Sequence, residues 1–240
     1  KVDGFDHVPV GDFEALQAAI GPQTAAIMIE PIQAEGGVMV VEDTVMQNLR
    51  QVCDDNGLLL IVDEVQTGMG RTGRLLAHEW SGVTPDVATL GKGIGGGFPI
   101  GACMATSEAA KGMVAGTHGS TYGGNPLAAA AGNAVLDIIL ADGFIENVER
   151  MGALLRSRLE DVCRRNDSVI HEEVRGRGLL LGIKCRAPNM DLVTAMRGHG
   201  VLVPPAGDNV MRMLPPLNIE ERHIEEAIAV LEEVCRELGQ

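Results

Sequence analysis

The chain has 240 residues, and because 45% of them are hydrophobic but only 2% are aromatic, its core must consist mainly of aliphatic side chains and methionine. The formal net charge of −14 argues against a nucleic-acid partner, since that backbone is bound by clustered lysine and arginine. No apolar run reaches the roughly 18 residues of a membrane span and no signal-peptide pattern opens the chain, so we expect a cytoplasmic protein without a membrane partner.

The first half of the chain alternates short apolar segments with an amphipathic one, which is typical of an α/β fold. Residues 25–30 ("AAIMIE") and 58–64 ("LLLIVDE") are apolar on both faces, as in buried parallel strands. Between them, apolar residues recur at helical spacing from a cap at Asp43 to a stop at Gly57. Two further strands, "DVATL" and "IGACMAT", flank a glycine-rich stretch.

The second half has a different pattern, and we expect it to begin a second domain near Asp142. We predict a helix with Pro126 in its first turn, a helix at about 144–165, the strand "GLLLGIKC" and the helix "MDLVTAMRGHG". Two short strands follow around "GDNVMRMLPP". Asn218, with Glu221 three residues later, predicts a capping box that opens the last helix.

The five cysteines are odd in number and widely spaced, and no two have the CxxC spacing of a zinc site. We therefore predict neither a metal centre nor a disulfide framework, and expect reduced thiols.

The glycine-rich stretch "TLGKGIGGGFPIG" surrounds a single lysine, Lys92. A phosphate-binding P-loop is excluded, because Asp86 and Gly93 stand where that motif needs glycine and Ser or Thr. The stretch matches G-x-G-x-x-G from Gly91, but a dinucleotide site must open a helix and "GGFPIG" cannot continue one. By itself the stretch is equally compatible with a turn that carries a solvated lysine.

Polar residues at the ends of the predicted strands indicate a ligand site more specifically than the glycine-rich stretch alone does. Asp63 and Glu64 end one strand and Glu30 ends another, while Lys92 follows a third. The carboxyl ends of parallel strands meet at one edge, where α/β proteins bind ligands, although Asp63 alone could equally cap a turn. A lysine withdrawn from solvent there would be an amine nucleophile. Pyridoxal 5′-phosphate is a flat cofactor that bonds to lysine and pairs with an aspartate, so it fits this set.

Four segments in order, "EPIQAEGGV", "LLLIVDEVQTGMGRTG", "TLGKGIGGGFPIGA" and "HGSTYGGNPLAAAAG", resemble the class III pyridoxal-phosphate-dependent aminotransferases. The later "VPPAGDNVMRMLPPL" is similar to the acetylornithine aminotransferase branch, and the resemblance covers the chain from about Asp12 on. It implies an α/β fold, the fold type I of these transferases. Residues 1–142 would form the C-terminal part of a large, mostly parallel-sheet domain that binds the cofactor, and residues 143–240 a small α+β domain.

The resemblance also implies roles for individual residues. Lys92 would be the Schiff-base lysine and the proton shuttle, and Asp63 would pair with the pyridinium nitrogen. Val65 would pack on the ring, and Gln66 would hydrogen-bond its phenolic oxygen. Thr121 would bind the cofactor phosphate from the neighbouring subunit, which implies a homodimer with shared active sites.

Two further residues would bind substrate in such a family member. Arg212 would hold the substrate α-carboxylate. Glu35 would be a gate that pairs with this arginine when an ω-amino donor binds and releases it for 2-oxoglutarate. We expect only structural or solvated roles for His78, His118, Arg71 and Arg74.

The sequence departs from the family pattern in two respects. Gly91 stands where alanine is common, and the sequence covers only the later part of the family's chain. We expect the family's chain to begin about 150 residues earlier, with the phosphate loop, the ring-stacking aromatic residue and the arginine for the distal carboxylate. The expected reaction is exchange of an amino group between N2-acetylornithine and 2-oxoglutarate, as in arginine biosynthesis. The alternatives are another ω-aminotransferase (ornithine, 4-aminobutyrate, succinylornithine), a truncated non-catalytic module, and a nucleotide-binding domain.

Overall fold

A computed structural model describes residues 2–239, which fold around two separate four-stranded sheets. The first half of the chain contains helices α1 (Phe13–Ala19) and α2 (Asp43–Asn56) and strands β1 (Ala26–Ile29), β2 (Ile32–Gln33), β3 (Met39–Val40), β4 (Leu59–Asp63), β5 (Val87–Leu90) and β6 (Ala102–Ala105). The second half contains helices α3 (Pro126–Ile139), α4 (Phe144–Arg165), α5 (Asn189–Gly198) and α6 (Glu221–Leu238) and strands β7 (Ile170–Arg177), β8 (Leu180–Cys185), β9 (Pro205–Ala206) and β10 (Val210–Met213).

The first sheet has the strand order β1-β4-β5-β6, and its first three strands are parallel. Helix α2 crosses over between β1 and β4, and its buried Met46, Leu49 and Cys53 pack in one cluster with Leu60 and Val62 of β4. This confirms the predicted βαβ unit. Strand β6 runs antiparallel to β5, because the glycine-rich stretch between them reverses the chain.

The second sheet, β7-β8-β10-β9, is entirely antiparallel. Its core is formed with helices α4, α5 and α6, whose apolar faces supply fully buried side chains such as Leu155, Met196 and Leu231. The short hairpin β2–β3 joins the two halves: Ile32 and Val38 pack with Leu180 and Val210 of the second sheet. This hairpin brings the loop that carries Glu35 against strand β10. The division at residue 142 stays a prediction.

Both predicted helix caps are wrong in detail. Helix α2 is capped by Glu42, whose carbonyl already accepts from Met46 N (3.1 Å), and the Asp43 carboxylate instead pairs with Arg177 (2.9 Å). The capping box of α6 is formed by Glu220 and His223. The helix begins after Asn218 because Ile219 N donates to Pro216 O (3.1 Å), which closes a turn before it.

Three elements were not predicted: helix α1, the hairpin β2–β3 and the long strand β7. All five cysteines are free, as expected. Within residues 2–239, no single helix is long and apolar enough to cross a membrane; α3 and α4, bent by 71° at their junction, satisfy the length and composition criteria only as a pair.

Candidate active site

Three strand ends bring Glu30, Asp63 and Lys92 to the same edge of the first sheet. Glu30 follows β1, Asp63 ends β4, and Lys92 lies two residues after β5. Burial raises the pKa of Glu30, the negative charge of Asp63 raises it further, and a hydrogen bond from Ala34 N and the charge of Lys92 oppose these effects. The charges of Asp63 and Lys92 thus both act on Glu30, as the positions of the three residues at strand ends predict.

Asp63 is held in place but keeps a free acceptor atom. Its Oδ1 accepts from Val65 N (2.9 Å) and from Thr89 Oγ1 (3.1 Å), and Thr89 is its register partner on β5. Among the residues that the structure describes, no donor reaches Oδ2, and this atom is not enclosed. The carboxylate therefore has a fixed orientation and one oxygen available to a ligand. Thr89 was not predicted, because only strand register places it beside Asp63.

Lys92 occupies a strained position in the glycine-rich stretch. Its φ of 43° lies in the left-handed region, which is unfavourable for a side chain with a Cβ and is concentrated at functional sites. Residues 92–95 form one 3₁₀ turn and not a helix, as the glycine and proline pattern predicts. A Cβ on Gly91 would lie only 3.1 Å from Val65 Cγ1, so the absence of a side chain lets Val65 lie against this turn.

Within residues 2–239, Lys92 is not withdrawn from solvent. The side chain is exposed, because no described element covers it on its open side.

Glu35 and Arg212 form a bidentate ion pair, with Gln66 beside it. Arg212 donates from Nη1 to Glu35 Oε1 (2.7 Å) and from Nη2 to Glu35 Oε2 (3.1 Å). Gln66 Nε2 donates to Glu35 Oε1 (3.0 Å), and Gln66 Oε1 lies 3.4 Å from Arg212 Nη1. The hydrogen bond from Arg212 holds the pKa of Glu35 below its ordinary value. The structure thus brings together three of the predicted site residues from distant parts of the chain.

The two partners of this ion pair are held very differently. Only 7% of the Arg212 side chain is exposed, and the Pro205 carbonyl also accepts from its Nε (3.2 Å) and Nη2 (3.0 Å). The Glu35 side chain is 68% exposed, and among the described residues only Arg212 and Gln66 hold its carboxylate. Its backbone is anchored separately, because Gly207 N donates to Glu35 O (2.8 Å). The carboxylate can therefore leave while the guanidinium stays.

Glu64 follows Asp63 directly but does not belong to the ligand edge. Its fully buried carboxylate accepts from His78 N (2.9 Å), lies 3.0 Å from His78 Nδ1, and accepts from the Thr67 hydroxyl. Burial raises the pKa of Glu64, but the hydrogen bonds from His78 and Thr67 outweigh burial and leave it lowered. His78 thus has a structural role, as expected, since it and Glu64 close the loop that carries Val65 and Gln66.

Arg71 and Arg74, also expected to be structural or solvated, differ from each other. Arg74 lies over the Trp80 ring, 4.5 Å from its centroid. Arg71 is mostly buried and lines a cavity of about 400 Å³. Val65, Gln66 and Lys92 also line this cavity.

Thr121 is the one predicted site residue that this chain does not bring to the others. It lies in the exposed segment 111–124 and does not line the cavity beside Lys92. Its role as a contact from a neighbouring subunit stays a prediction.

The aminotransferase class-III family profile matches residues 6–235. The chain is 55% identical over 239 residues to the acetylornithine aminotransferase of Brucella melitensis, and this match covers 100% of the chain and 59% of the relative. Its fold is similar to that of the N-acetylornithine aminotransferase from Stenotrophomonas maltophilia (TM-score 0.89, 35% identity), covering 99% of this chain and 64% of that one. The Plasmodium falciparum ornithine delta-aminotransferase is similar as well (TM-score 0.92, 34% identity, 100% and 63% covered). The chain thus spans about 59% of the length of the curated relative.

Proposed function

Because this chain belongs to the class-III aminotransferases, we propose that the protein exchanges an amino group between N2-acetylornithine and 2-oxoglutarate, with pyridoxal 5′-phosphate as its cofactor. One observation carries the proposal: parallel strands deliver a lysine amine and a carboxylate with a free oxygen to a single edge. The 55% identity to an acetylornithine aminotransferase supports the choice of substrate.

The residues present fit this cofactor. Asp63 has one oxygen fixed by two donors and another without a partner, which suits a protonated ring nitrogen. Val65 lies against the turn of Lys92, where an apolar side chain can contact the face of a flat ring. Gln66 Nε2 donates to Glu35 in this structure, so the proposed bond to the phenolic oxygen requires this amide to exchange partners.

Bound there, pyridoxal phosphate supplies an aldehyde for amine exchange and a ring that accepts electron density. The Lys92 Nζ would take up and return the proton at the substrate carbon that bears the amino group. Asp63 Oδ2 would accept a hydrogen bond from the ring nitrogen and stabilise its positive charge. Neither role needs a movement of the sheet, because both residues lie at strand ends.

The ion pair between Glu35 and Arg212 provides a selection step for substrates. Arg212 would bind the α-carboxylate of glutamate or 2-oxoglutarate through the two nitrogens that now contact Glu35. The exposed Glu35 side chain would leave for such a substrate, while Pro205 keeps the guanidinium in place. For an amino donor without a carboxylate at this position, the pair would stay closed and cover the charge of Arg212.

We further propose a cytoplasmic homodimer, in which Thr121 of one subunit contacts the cofactor phosphate of the other. The exposure of Thr121 and its absence from the cavity beside Lys92 support a role in trans. Ornithine is the second candidate substrate, since the similar solved structures include ornithine aminotransferases.

Reduction of the cofactor complex tests the catalytic role of Lys92. After incubation with pyridoxal phosphate and borohydride, we expect a pyridoxyl group on the peptide that contains Lys92. Lys111→Ala is the matched control and should label normally, because Lys111 is an exposed residue whose partner is Glu108. A folded protein without an adduct would favour the non-catalytic alternative.

Steady-state rates with acetylornithine, ornithine and 4-aminobutyrate then rank the amino donors. The proposal requires the highest kcat/KM for acetylornithine, and a higher value for ornithine would replace it with the second candidate. For the dimer, mixing Lys92→Ala with Thr121→Ala subunits should restore activity in the mixed dimers. No recovery despite subunit exchange would remove the role of Thr121 in trans.

A further inference from the structure

Arg175, on strand β7, connects the loop that carries Glu35 to the second sheet. Its Nη1 donates to Gly37 O (3.2 Å), two residues after Glu35, and to Asp208 Oδ2 (2.8 Å) in the turn between β9 and β10. Its Nε donates to Glu173 Oε1 (2.5 Å) on its own strand. Only 15% of the Arg175 side chain is exposed. The guanidinium is therefore fixed between the loop and the turn.

The turn that contains Asp208 is itself held firmly. Asp208 and Asn209 both have a φ of 52°, as the two central residues of a type I′ hairpin turn require. The Asp208 carboxylate also accepts from Lys184 Nζ of β8, and Asn209 Nδ2 donates to Cys185 O (2.7 Å). Hydrogen bonds from Lys184 and from Arg175 hold the pKa of Asp208 below its ordinary value. The turn thus gives Arg175 a fixed and charged partner.

The Glu35 loop meets this turn at two glycines, where the backbones approach closely. Gly207 N donates to Glu35 O (2.8 Å), and a Cβ on Gly207 would lie 3.1 Å from the same oxygen. A Cβ on Gly37 would lie 3.0 Å from Gly207 O and 3.1 Å from Asp208 Cβ. The loop and the turn are therefore in direct contact beside the point where Arg175 bonds to both.

The hairpin β9–β10 holds both partners of the ion pair. Pro205 O accepts from Arg212 Nε (3.2 Å) and Nη2 (3.0 Å), while Gly207 N holds the backbone of Glu35. The Glu35 carboxylate can leave the guanidinium, but the loop that carries it is tied to the same hairpin. Because fewer backbone positions are open to a tied loop, re-forming the ion pair costs less conformational entropy.

We propose that Arg175, together with Asp208, is a positioning residue that holds the Glu35 loop against the β9–β10 turn and so keeps Glu35 within reach of Arg212. The proposal rests on the function proposed above for Glu35 and Arg212. Without Arg175 the loop would spend part of its time away from the turn, and Glu35 would compete less well with an incoming carboxylate. A substrate carboxylate would then bind Arg212 more easily, which is the opposite of what damage to the site would cause.

Hydrogen exchange of the full-length protein tests the anchoring of the loop in the absence of substrate. The amides of Gly37 and Gly207 are hydrogen-bonded in the structure. In Arg175→Met they should exchange at least about tenfold faster, the factor that corresponds to losing a hydrogen bond to a charged group. Arg175→Lys keeps a cation for Asp208 and should retain most of the protection.

Arg156→Met is the matched control for a loss of stability in strand β7. Arg156 Nη1 donates to Val174 O (2.9 Å) and its Nη2 donates to Gly176 O (2.6 Å), both on β7. Within residues 2–239, it makes no hydrogen bond to the Glu35 loop or to the turn. Its replacement should leave both the exchange of those amides and KM for 2-oxoglutarate unchanged.

Steady-state kinetics tests the effect of Arg175 on the ion pair. Arg175→Met should lower KM for 2-oxoglutarate by about two- to fivefold and leave kcat unchanged, because the effect cannot exceed what an exposed ion pair contributes. In the Glu35→Gln background the same substitution should cause no further change, since it acts through Glu35. Asp208→Asn keeps a residue that tolerates the left-handed backbone but loses the charge, so it should lower KM by a smaller factor.

Three results would overturn the proposal and leave Arg175 with a structural role alone. They are unchanged amide exchange in Arg175→Met, a rise in KM or a fall in kcat, and equal effects in the wild-type and Glu35→Gln backgrounds. If Arg212→Met leaves KM for 2-oxoglutarate unchanged, the proposed function of the ion pair fails, and the role of Arg175 fails with it. The Arg212→Met variant therefore distinguishes a failure of the proposed function from a failure of the positioning role alone.

Discussion

Glu35 and Glu64 are both hydrogen-bonded carboxylates near the candidate active site, but their surroundings are opposite. The Glu64 side chain is fully buried and is bound by His78 and Thr67, which itself is buried. Glu35 is 68% exposed and meets a buried arginine that has a second acceptor in Pro205. The first arrangement holds a loop closed, and the second can open without unfolding any element.

The energetics of the two pairs follow from these surroundings. An ion pair with an exposed partner contributes little to stability, because water replaces the lost contacts. A fully buried carboxylate with several donors is costly to disturb, since each donor is then left without a partner. Under the proposed function, the freedom of a carboxylate to leave its partner, and not its proximity to the site, decides whether it responds to a substrate.

The largest effect should come from Glu64→Ala. Loss of this carboxylate leaves the Thr67 hydroxyl and the His78 amide buried and unpaired, and we expect a loss of about 3 kcal/mol in the free energy of unfolding. Denaturant unfolding measures it. Glu35→Ala is the matched control and should change stability by less than about 1 kcal/mol. Equal losses of unfolding free energy in the two variants would contradict the difference between the buried and the exposed carboxylate.

Arg212→Met should act mainly on substrate binding. Removing the bidentate donor should lower kcat/KM for 2-oxoglutarate by about 10- to 100-fold, since a charge-assisted pair contributes about 1.5–3 kcal/mol. Steady-state kinetics with varied 2-oxoglutarate measures this change. Arg186→Met is the control, because Arg186 directly follows strand β8 of the same sheet and its guanidinium pairs with the exposed Asp167. A similar loss in both variants would indicate a structural effect.

Lowering the pH should have a smaller effect, on the stability that Glu64 contributes. The pKa of Glu64 is lowered below its ordinary value of 4.5, so the stability it contributes is present above about pH 4.5 and is lost as the pH falls through the folded-state value. The difference in unfolding free energy between wild type and Glu64→Gln should therefore shrink as the pH is lowered from 6 to 3. A constant difference across this range would show that the buried carboxylate is not ionised.

The sequence indicated the first sheet and its ligand edge well, because parallel strands that are apolar on both faces end in Glu30, Asp63 and the turn of Lys92. Two other features depend on tertiary contacts. Thr89 meets Asp63 only through strand register. The burial of Arg71 depends on how its loop packs on the second half of the chain, and His78 is held by Glu64, 14 residues earlier. In a sequence, charged residues between glycines look solvated, and only the packing shows which of them are buried and which are exposed.

The smallest effect, from Glu35→Gln, tests whether the exposed pair is a gate under the proposed function. The amide can still accept a hydrogen bond from Arg212, but it no longer competes as a charge with an incoming carboxylate. Because an exposed ion pair contributes about 0–1 kcal/mol, its loss should lower KM for 2-oxoglutarate by no more than about fivefold and leave kcat unchanged. Stability should change by less than about 0.5 kcal/mol. An increase in KM for 2-oxoglutarate would mean that Glu35 orients Arg212 for the substrate. Glu35 and Glu64 would then both hold other residues in place, and Glu35 would not be a gate.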